Sequence, residues 1–420
     1  MAVTRSSHAH HSVDAVIVGS GLVGGALALS LAQAGLQIAL IDRTSTTDLA
    51  AASSDGRASA IALASQRMLR RIGLWDYVDH AAQPILDIRV SDGDSSLFLH
   101  YTHEDLGQQL EGAPFGWIVE NAVVRKGLAA MLCNTDRATV LSPAQVTGYA
   151  ADERGASVML ADGRTAAAPV ILAADGAESF LRAQARIPVI QWRYPQVGIV
   201  CTITHELPHD GVAHERFLPN GPFAVLPMTT GSEREHRSSI VWTERNRHAS
   251  DLMALSDDDF SAEIQRRFGE WYGTIRIKGD RWCYPLRLLH AERYVDQRLA
   301  LAGDAAHTIH PIAGQGLNLG LRDAAALAEV VVDDRRLGLD YGRQTTLRRY
   351  ERWRRPDNVG LMAVTDGLNR LFSNDIGPVK ISRNLGMAAV NRMPGIKRFF
   401  MRHAMGTVGT LPRLLRGEAL

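Results

Sequence analysis

The sequence is poor in cysteine and carries almost no net charge. Its three cysteines, Cys133, Cys201 and Cys283, lie far apart and form no Cys-x-x-Cys pair. This distribution predicts a reducing compartment and no zinc site. The 46 lysines and arginines balance 45 acidic residues, so no large positive field attracts nucleic acid to the chain as a whole. A length of 420 residues allows two domains or one large one.

Charged side chains are also missing between Asp14 and Asp42. An uncharged apolar run of about 18 residues or more is the usual mark of a transmembrane helix. Five glycines, Gln33, Gln37 and the placement of Asp42 count against a membrane span in this run. A parallel strand buried on both faces is uncharged for a different reason. We therefore expect a strand–helix–strand unit here, with a membrane span as the alternative.

This stretch, residues 14–43, places Gly19, Gly21 and Gly24 between an apolar strand and a helical pattern. They form G-x-G-x-x-G, the turn of dinucleotide-binding units. The first glycine permits a tight turn, the second lets the backbone approach a pyrophosphate, and the third lets helix and strand pack closely. The helix that follows would present free N–H groups to the phosphates. Asp42, at the end of the second strand, would accept hydrogen bonds from a ribose.

Two later stretches also end an apolar strand in a glycine and an acid. They are residues 170–182, "VILAADGAESFLR", and residues 298–331, "RLALAGDAAHTIHPIAGQGLNLGLRDAAALAEVV". In the second, Asp304 would lie in the crevice at the carboxyl end of the sheet, where α/β folds bind ligands. A Pro/Gly loop follows it, and a helix begins near Gly316.

That loop, residues 311–315, has the chemistry to hold a flat ring, and we call it the ring loop. Pro311 stiffens it, while Gly314 and Gly316 let backbone N–H groups come close to a ring. Three nearby polar residues have open roles. His307 and His310 are either acid–base groups or loop histidines that hold the backbone, and Asp323 is either a site residue or a charge on the helix face. No H-E-x-x-H spacing surrounds them, so we expect no metal site.

The three elements, in this order, resemble the flavin-dependent aromatic hydroxylases typified by para-hydroxybenzoate hydroxylase. The resemblance implies that the first glycine turn binds the ADP half of FAD and that the Gly-Asp pair holds the ribityl chain. It places the Asp-Gly pair near the pyrophosphate, in association with both FAD and NAD(P)H. The implied cofactor residues are Gly19, Gly21, Leu22, Gly24, Asp42, Arg43, Arg57, Arg125, Asp175, Gly176, Gly303, Asp304, Gly316, Leu317 and Asn318, and the implied catalytic ring loop contributes Pro311, Gly314 and Gln315.

Further stretches resemble one branch of this family, the ubiquinone-biosynthesis hydroxylases. In residues 53–75, which we expect to form a helix after a polar loop, Arg57 matches an arginine that contacts FAD. In residues 116–132, a strand followed by a helix, Arg125 matches a residue on the phosphate and ribityl side of the flavin; a solvated helix arginine is the alternative. Residues 371–406 resemble the 2-polyprenyl-6-methoxyphenol hydroxylase type in particular.

The middle of the chain, residues 186–285, alternates apolar and polar residues between turn signals and predicts the antiparallel strands of one sheet. Residues 86–101 predict a further hairpin that turns at Asp92-Gly93-Asp94, and Ser256 is a predicted helix N-cap. A sheet of this kind would cover the flavin and wall a substrate cavity. The candidate lining residues are Phe223, Leu226, Pro227 and Trp242, for which ordinary sheet core is the alternative.

We therefore predict an α/β fold with a Rossmann-like FAD-binding domain, an antiparallel β-sheet substrate domain and a helical C-terminal region. The FAD-binding domain would comprise residues 12–75, 117–185 and 286–360, and the substrate domain residues 76–116 and 186–285. Residues 1–11 would be a disordered leader and residues 361–420 the helical region.

The tail is unusually basic: residues 380–420 contain eight lysines and arginines against one acid, Glu418. Apolar residues such as Phe399 and Phe400 lie among them. A basic amphipathic helix suits a membrane surface or an acidic partner; a solvated helix packed on the FAD-binding domain is the alternative.

The resemblance implies an FAD-dependent monooxygenase that uses NADH or NADPH and O2, through a flavin hydroperoxide, to hydroxylate the ring of a polyprenyl phenol in ubiquinone biosynthesis. The alternatives are a hydroxylase of a small soluble aromatic and a non-catalytic flavin-binding scaffold of a biosynthetic complex. We expect a cytoplasmic protein that is either soluble or peripheral on the inner membrane, with a biosynthetic complex and the membrane surface as candidate partners and no nucleic-acid partner. No Ser or Cys nucleophile is expected, since the cofactor carries the chemistry.

Overall fold

The structure is a computed structural model that describes residues 10–45, 56–93, 98–106, 110, 112–232, 235–374, 383, 386 and 390–420. Its strands are β1 (His10–Ser12), β2 (Ala15–Val18), β3 (Ile38–Ile41), β4 (Ala58–Ala62), β5 (Gln83–Ile85), β6 (Asp87–Asp92), β7 (Phe98–Thr102), β8 (Gly116–Glu120), β9 (Ala138–Leu141), β10 (Val146–Ala151), β11 (Ala156–Leu160), β12 (Thr165–Ala168), β13 (Ile171–Ala173), β14 (Val189–His205), β15 (Val212–Leu218), β16 (Gly221–Ser232), β17 (Glu235–Arg245), β18 (Ile275–Ala291), β19 (Val295–Asp296), β20 (Leu299–Leu301) and β21 (His307–Thr308).

The helices cover these sheets and form the C-terminal region. They are α1 (Leu22–Gln33), α2 (Leu63–Arg71), α3 (Trp75–Val78), α4 (Asn121–Cys133), α5 (Phe180–Gln184), α6 (Asn246–Ala254), α7 (Asp257–Phe268), α8 (Gln315–Arg336), α9 (Gln344–Phe372), α10 (Pro394–Ala404) and α11 (Arg413–Arg416).

A six-stranded sheet forms the centre of the molecule, in the order β19-β20-β13-β2-β3-β9. All its neighbours pair in parallel except β19 and β20. Its middle strands are buried on both faces, which explains their apolar composition. The membrane span considered for residues 15–41 is wrong, because this run is β2, the 12-residue helix α1 and β3. Across the described part of the chain, every helix is too short or too polar to traverse a bilayer.

Two smaller sheets correct the sequence-based boundaries. His10–Ser12 pairs in parallel with β12, so the predicted disordered leader is wrong for His10 and His11, while residues 1–9 lie outside the described residues. The helix predicted within residues 53–75 is preceded by β4, which pairs with β8 in a three-stranded sheet. The alternating small and apolar side chains of "ASAIA" fit a strand better than a helix.

The middle of the chain forms an eight-stranded sheet in the order β21-β18-β14-β17-β16-β15-β6-β7. The predicted hairpin is its edge pair, β6 and β7, although Asp94 lies outside the described residues. The antiparallel pairing predicted within residues 186–285 is confirmed, and the hairpin joins this sheet through β6, which runs parallel to β15. The predicted N-cap is confirmed: Ser256 Oγ accepts a hydrogen bond of 3.1 Å from the Asp259 N–H.

The eight-stranded sheet has two distinct faces. The outer face packs against α7 and includes Phe223 and Trp242, both about fully buried with Phe260 of that helix. They are therefore sheet core, and their prediction as cavity-lining residues is wrong. Side chains alternate between the two faces along each strand. On β16, Phe223 therefore points to the outer face and Leu226 to the inner face, where Leu226 packs with side chains from β4 and β5.

The C-terminal helices close the inner face. Helix α9 crosses α8 and ends at Phe372, which stacks on Phe217 of the sheet with ring centroids 4.1 Å apart. Met401 of α10 is buried in the same apolar cluster as Leu226, and α11 packs against the central core through Leu414. The tail is thus a helical part of the fold, as predicted, although α9 begins well before residue 361.

Candidate active site

Three chain segments meet at the carboxyl edge of the central sheet. The Ala174 N–H donates to the Val18 carbonyl over 2.8 Å, and the Ala302 N–H donates to the Ala173 carbonyl over 2.9 Å. These bonds align the ends of β2, β13 and β20, so the glycine turn, the Asp-Gly pair and the Gly-Asp pair lie side by side. Order along the sheet, rather than along the sequence, brings them together.

The glycine turn leaves no room for side chains except at its middle position. A Cβ on Gly19, whose φ is +102°, would lie 2.2 Å from the Ala174 carbonyl oxygen, and a Cβ on Gly24 would lie 1.9 Å from the Gly19 oxygen. A Cβ on Gly21 would meet nothing within 4 Å. The packing glycines and the open one therefore divide as the sequence predicts. Helix α1 begins at Leu22, directly after the open position.

Asp42 faces the turn from the end of β3. Its Oδ2 accepts hydrogen bonds from the Ser20 N–H over 2.6 Å and from the Ser20 hydroxyl over 2.8 Å. A carboxylate offers about four acceptor sites, so a ribose can still bind. Arg43 next to it is exposed. Ser20 therefore holds Asp42 in place at the turn. The motif does not predict this role, because Ser20 occupies a variable position of G-x-G-x-x-G.

Asp304 lies directly after β20, at the carboxyl edge of the central sheet. Its side chain is exposed, and yet the protein around it raises the pKa of the carboxyl group by desolvation, against smaller opposite effects of His307, Arg287 and Arg57. An exposed side chain that the surrounding protein still desolvates lies in a concave part of the surface, which we call the cleft. The guanidinium of Arg57 lies 5.4 Å from the centre of the Tyr284 ring, so the inner face of the large sheet forms the opposite wall.

The Asp-Gly segment is tied to the Gly-Asp segment by a residue outside both pairs. The buried Arg182 guanidinium donates to the Ala305 carbonyl over 2.8 Å and to the Ala177 carbonyl over 2.7 Å. Asp175 accepts from the Leu181 N–H over 3.3 Å, and burial raises the pKa of its carboxyl group. A Cβ on Gly176 would meet open space. The backbone beside the pair is therefore accessible to a phosphate.

The ring loop precedes α8, which packs against the Gly-Asp turn: a Cβ on Gly320 would lie 3.3 Å from the Gly303 Cα. Gly314 caps α8 in the left-handed conformation, with φ of +60°, which explains a glycine there. A Cβ on Gly316 would have only Ile309 as a neighbour, 4.0 Å away. Gln315 donates from its side chain to the Ala404 carbonyl over 3.4 Å, so its side chain holds α10. Pro311 and Leu317 are partly buried beside these glycines.

Asn318 serves the scaffold with its side chain. Its amide donates to the Ala60 carbonyl over 2.7 Å and accepts from the Ala62 N–H over 2.9 Å. It therefore fixes β4 against the start of α8. The half-buried Arg125 lies on α4, whose first residue, Asn121, accepts from the Ser59 hydroxyl over 2.6 Å. The first turns of α8 and α4 are thus both hydrogen-bonded to β4 of the three-stranded sheet.

A buried ionic network lies beneath the Gly-Asp pair. Asp323 is fully buried and accepts from His307, from the Gly303 N–H over 3.2 Å and from Arg354 over 2.9 Å. His307 and Arg354 hold the pKa of its carboxyl group down at about 2, against desolvation. Asp323 is thus no surface charge, and His307 binds this carboxylate rather than the backbone. Arg354, 31 residues further along the chain, gives no signal in the sequence.

His310 differs from His307. Its ring is fully buried, and neither ring nitrogen has a hydrogen-bond partner among the described residues. It packs edge-on against Tyr194, with centroids 5.1 Å apart, and burial lowers its pKa to about 4. A neutral imidazole in this position stiffens the loop before Pro311 by packing, which is a third role that the sequence did not suggest.

The residues fit FAD. The open backbone at Gly21 and Gly176 suits a pyrophosphate, the Asp304 carboxylate suits ribityl hydroxyls, and the open N-terminus of α8 beside Gly316 suits the ring. When bound, FAD supplies the redox and oxygen chemistry that these side chains lack.

The family assignment follows from comparison with known proteins. A family model described as the FAD binding domain matches residues 12–358. The protein belongs to this family. Ubiquinone hydroxylase UbiL of Rhodospirillum rubrum is 50% identical over 97% of this chain and 93% of its own length. The 3-demethoxyubiquinol 3-hydroxylase of Escherichia coli is 32% identical over 94% of this chain and 98% of its own.

The hydroxylase also shares its fold with a solved structure. Its similarity to p-nitrophenol 4-monooxygenase PnpA from Pseudomonas putida has a TM-score of 0.77 at 18% identity, over 95% of this chain and all of the other. The predicted α/β fold is thereby confirmed. The protein is an FAD-dependent aromatic hydroxylase of the ubiquinone-biosynthesis branch, with NAD(P)H as the reductant typical of the family.

Proposed function

We propose that the hydroxylase acts on a polyprenyl phenol and takes it from a membrane surface. The apolar character of the inner face supports this proposal. The ring-loop residue Ile312 packs with Leu99, Phe217 and Phe372, and Met401 lies in the neighbouring apolar cluster. A substrate site between these clusters is suited to a ring with an isoprenoid tail.

The charges on the inner face do not favour a small aromatic acid. Arg237 pairs with Glu120 over 3.4 Å, and the buried Arg383 pairs with Asp92 over 2.9 Å. Each of these cations already has a carboxylate partner, whereas a small acid would need a guanidinium available for its own carboxylate. The apolar surroundings therefore favour the lipid-like substrate.

Helix α10 supports the membrane part of the proposal. It exposes Ile396, Phe399 and Phe400 to solvent, while Met401 on its other side is buried. An apolar stripe beside exposed arginines is typical of a helix that lies in a membrane interface. A bilayer-bound phenol would then reach the cleft without leaving the membrane surface entirely.

The predicted cofactor residues remain part of this proposal. We assign the pyrophosphate to the glycine turn and the Asp-Gly segment, the ribityl chain to Asp304, and the ring to the loop before α8. The support is their shared position at one cleft, described above.

The experiment is a reaction with purified, FAD-loaded protein, NADH or NADPH, and isotopically labelled O2. One arm supplies a polyprenyl phenol in anionic liposomes and the other a soluble hydroxybenzoate. We expect one labelled oxygen atom in the prenylated product and little coupled turnover with the acid. Hydroxylation of the acid alone would overturn the proposed substrate. Quinone profiles of a deletion strain would then name the missing ring position.

A further inference from the structure

Glu215 is an ionisable residue in the middle of an apolar strand wall. It lies on β15, in the sequence "VAHERFL", between two buried apolar residues of the same face, Ala213 and Phe217. None of the cofactor contacts proposed above involves this residue. Its position can be derived from the pairing of the strands.

The strand's alternation settles the direction of the side chain. His214 packs edge-on against Phe268, and Arg216 donates to the Phe268 carbonyl over 3.0 Å, so both point to the outer face and α7. The intervening Glu215 therefore points to the inner face, because successive strand side chains alternate. Its paired neighbours there are Val90 and Ala224.

The inner face at this point lies opposite the ring loop. Phe217, two residues away, packs in one cluster with Ile312 of that loop. Ala213, two residues in the other direction, packs in the cluster that contains Ala60, and a Cβ on Gly314 would lie 3.1 Å from the Ala60 Cβ. Glu215 thus lies between the two apolar clusters that flank the ring loop.

The carboxyl group also has accessible space beside it. Glu215 is only partly buried, and no hydrogen bond or ion pair to it is found among the described residues. Desolvation is the one effect that raises the pKa of Glu215, to about 7. As with Asp304, a partly exposed group that the surrounding protein still desolvates lies in a concave part of the surface. A polar group in such a place costs free energy unless water or a ligand forms hydrogen bonds with it.

Other charged or titratable groups on the inner face include the ion pair of Asp92 with Arg383, the ion pair of Arg237 with Glu120, and Tyr101, whose pKa burial raises to about 12. Tyr284 also lies on this face, with the Arg57 guanidinium 5.4 Å from its ring centre. None of them is a cause of the pKa shift of Glu215. A carboxylate that apolar surroundings make more basic is suited to one hydroxyl group of a ring.

We propose that Glu215 binds the phenolic hydroxyl of the substrate and accepts its proton. This inference rests on the phenolic substrate proposed above. In the step, the phenol O–H bond breaks and a carboxyl O–H bond forms, so one proton moves and no electron pair leaves the ring system. The phenolate is a stronger nucleophile at its ring carbons than the phenol. Glu215 would therefore prepare the ring for oxygen transfer.

The kinetic test compares Glu215→Gln with Glu215→Asp, using a phenol that carries one isoprene unit. The glutamine variant should keep its FAD and its melting temperature but lose about 100-fold or more in kcat, as expected for a lost general base. Because the base must be ionised, kcat/KM of the wild type should rise with pH through about 7. This limb should vanish in Glu215→Gln and persist in Glu215→Asp. Glu235→Gln, which removes a glutamate paired with Lys278 on the same sheet, is the control.

A binding test separates contact from structural support. The phenol and its methyl ether are titrated into the oxidised, FAD-loaded protein, and the change in flavin absorbance is followed. The ether has no proton to donate, so it should bind the wild type about tenfold or more weakly than the phenol does. In Glu215→Gln the ether and the phenol should bind equally well. An equal loss in both proteins, or an unchanged pH limb in Glu215→Gln, would overturn the assignment. If the wild type accepts only a small phenol, the polyprenyl proposal fails, while the same comparison with that phenol still tests Glu215.

Discussion

At the scale of the residue, the site depends on carboxylates in unlike surroundings. Asp323 is buried with a cationic partner, and its pKa is lowered. Asp304 and Glu215 face cavities, and desolvation raises the pKa of both. The pKa shifts have opposite signs because Asp323 lies beside the Arg354 guanidinium, whereas we expect Asp304 and Glu215 to lie beside space that a ligand fills.

Replacing Asp304 by alanine should weaken FAD binding by about 1.5–3 kcal/mol, because the ribityl hydroxyls lose a charged acceptor. Fluorescence titration of the apoprotein with FAD measures this loss. Since FAD binds the ionised carboxylate and the pKa of the free group is raised, affinity should fall as the pH drops through that raised pKa. Asp304→Asn should show no such fall. Unchanged affinity in both variants would remove Asp304 from the cofactor site.

Gly316 and Gly320 form a matched pair for testing the ring loop. Valine at Gly316 meets only Ile309 at 4.0 Å from the new Cβ, so folding should survive while ring binding and hydroxylation fall. At Gly320 a Cβ would lie 2.5 Å from the Val23 side chain and 3.3 Å from the Gly303 Cα, so valine there should lower the melting temperature as well. Full hydroxylation by Gly316→Val would mean that the ring lies elsewhere.

At the scale of the element, α8 and α9 hold the Gly-Asp turn through charge. Asp323 on α8 accepts from the Gly303 N–H and from Arg354 on α9, whose guanidinium is also buried. Buried ion pairs are expensive to break from one side, because the remaining charge stays desolvated. The orientation of the turn is thereby coupled to the packing of two helices.

Asp323→Asn should reduce the free energy of unfolding at pH 7 by about 3 kcal/mol. Removing one partner of a buried ion pair costs about 3–5 kcal/mol. We expect the lower figure because Arg354 also pairs with Asp357 over 2.8 Å. A carboxyl group whose pKa is lower in the folded than in the unfolded protein stabilises the fold at pH values above its unfolded-state pKa. This stability is lost as the pH falls through its folded-state pKa. The wild type should therefore approach the variant between about pH 4 and pH 2. Urea denaturation across this range measures the difference, and a gap that does not narrow in acid would contradict the network's role.

At the scale of the whole molecule, the tail exposes fewer unpaired positive charges than its composition indicates, because acidic residues elsewhere in the fold pair with several of its basic side chains. Arg383 pairs with Asp92, Lys397 with Asp105 over 2.5 Å, and Arg413 with Asp333. Arg392, Arg398 and Arg402 are exposed. Part of the tail is thus packed on the fold, as one sequence-based alternative held, and the exposed arginines beside Phe399 and Phe400 are left for a membrane surface.

Replacing Arg392, Arg398 and Arg402 by glutamine should release the protein from anionic liposomes. Each basic residue near an anionic surface contributes about 1 kcal/mol, and salt screens it. Flotation at low and high salt measures the effect, with FAD content unchanged. Glutamine at Arg336, Arg348 and Arg352, which are exposed on α8 and α9, removes the same charge and should leave binding intact. Equal flotation of all three proteins would assign the tail to packing or to a protein partner.

The sequence by itself determined the features that depend on short stretches of chain. The strand–glycine–helix order around Gly19, the N-cap at Ser256 and the loop before α8 could be predicted because each arises from neighbouring residues. Only the tertiary structure decided which face of the large sheet meets the cleft. One step along a strand moves a side chain to the opposite face, so Phe223 became core while Glu215 came to face the ring loop. Nothing local distinguishes those two outcomes, because the pairing of distant strands sets them.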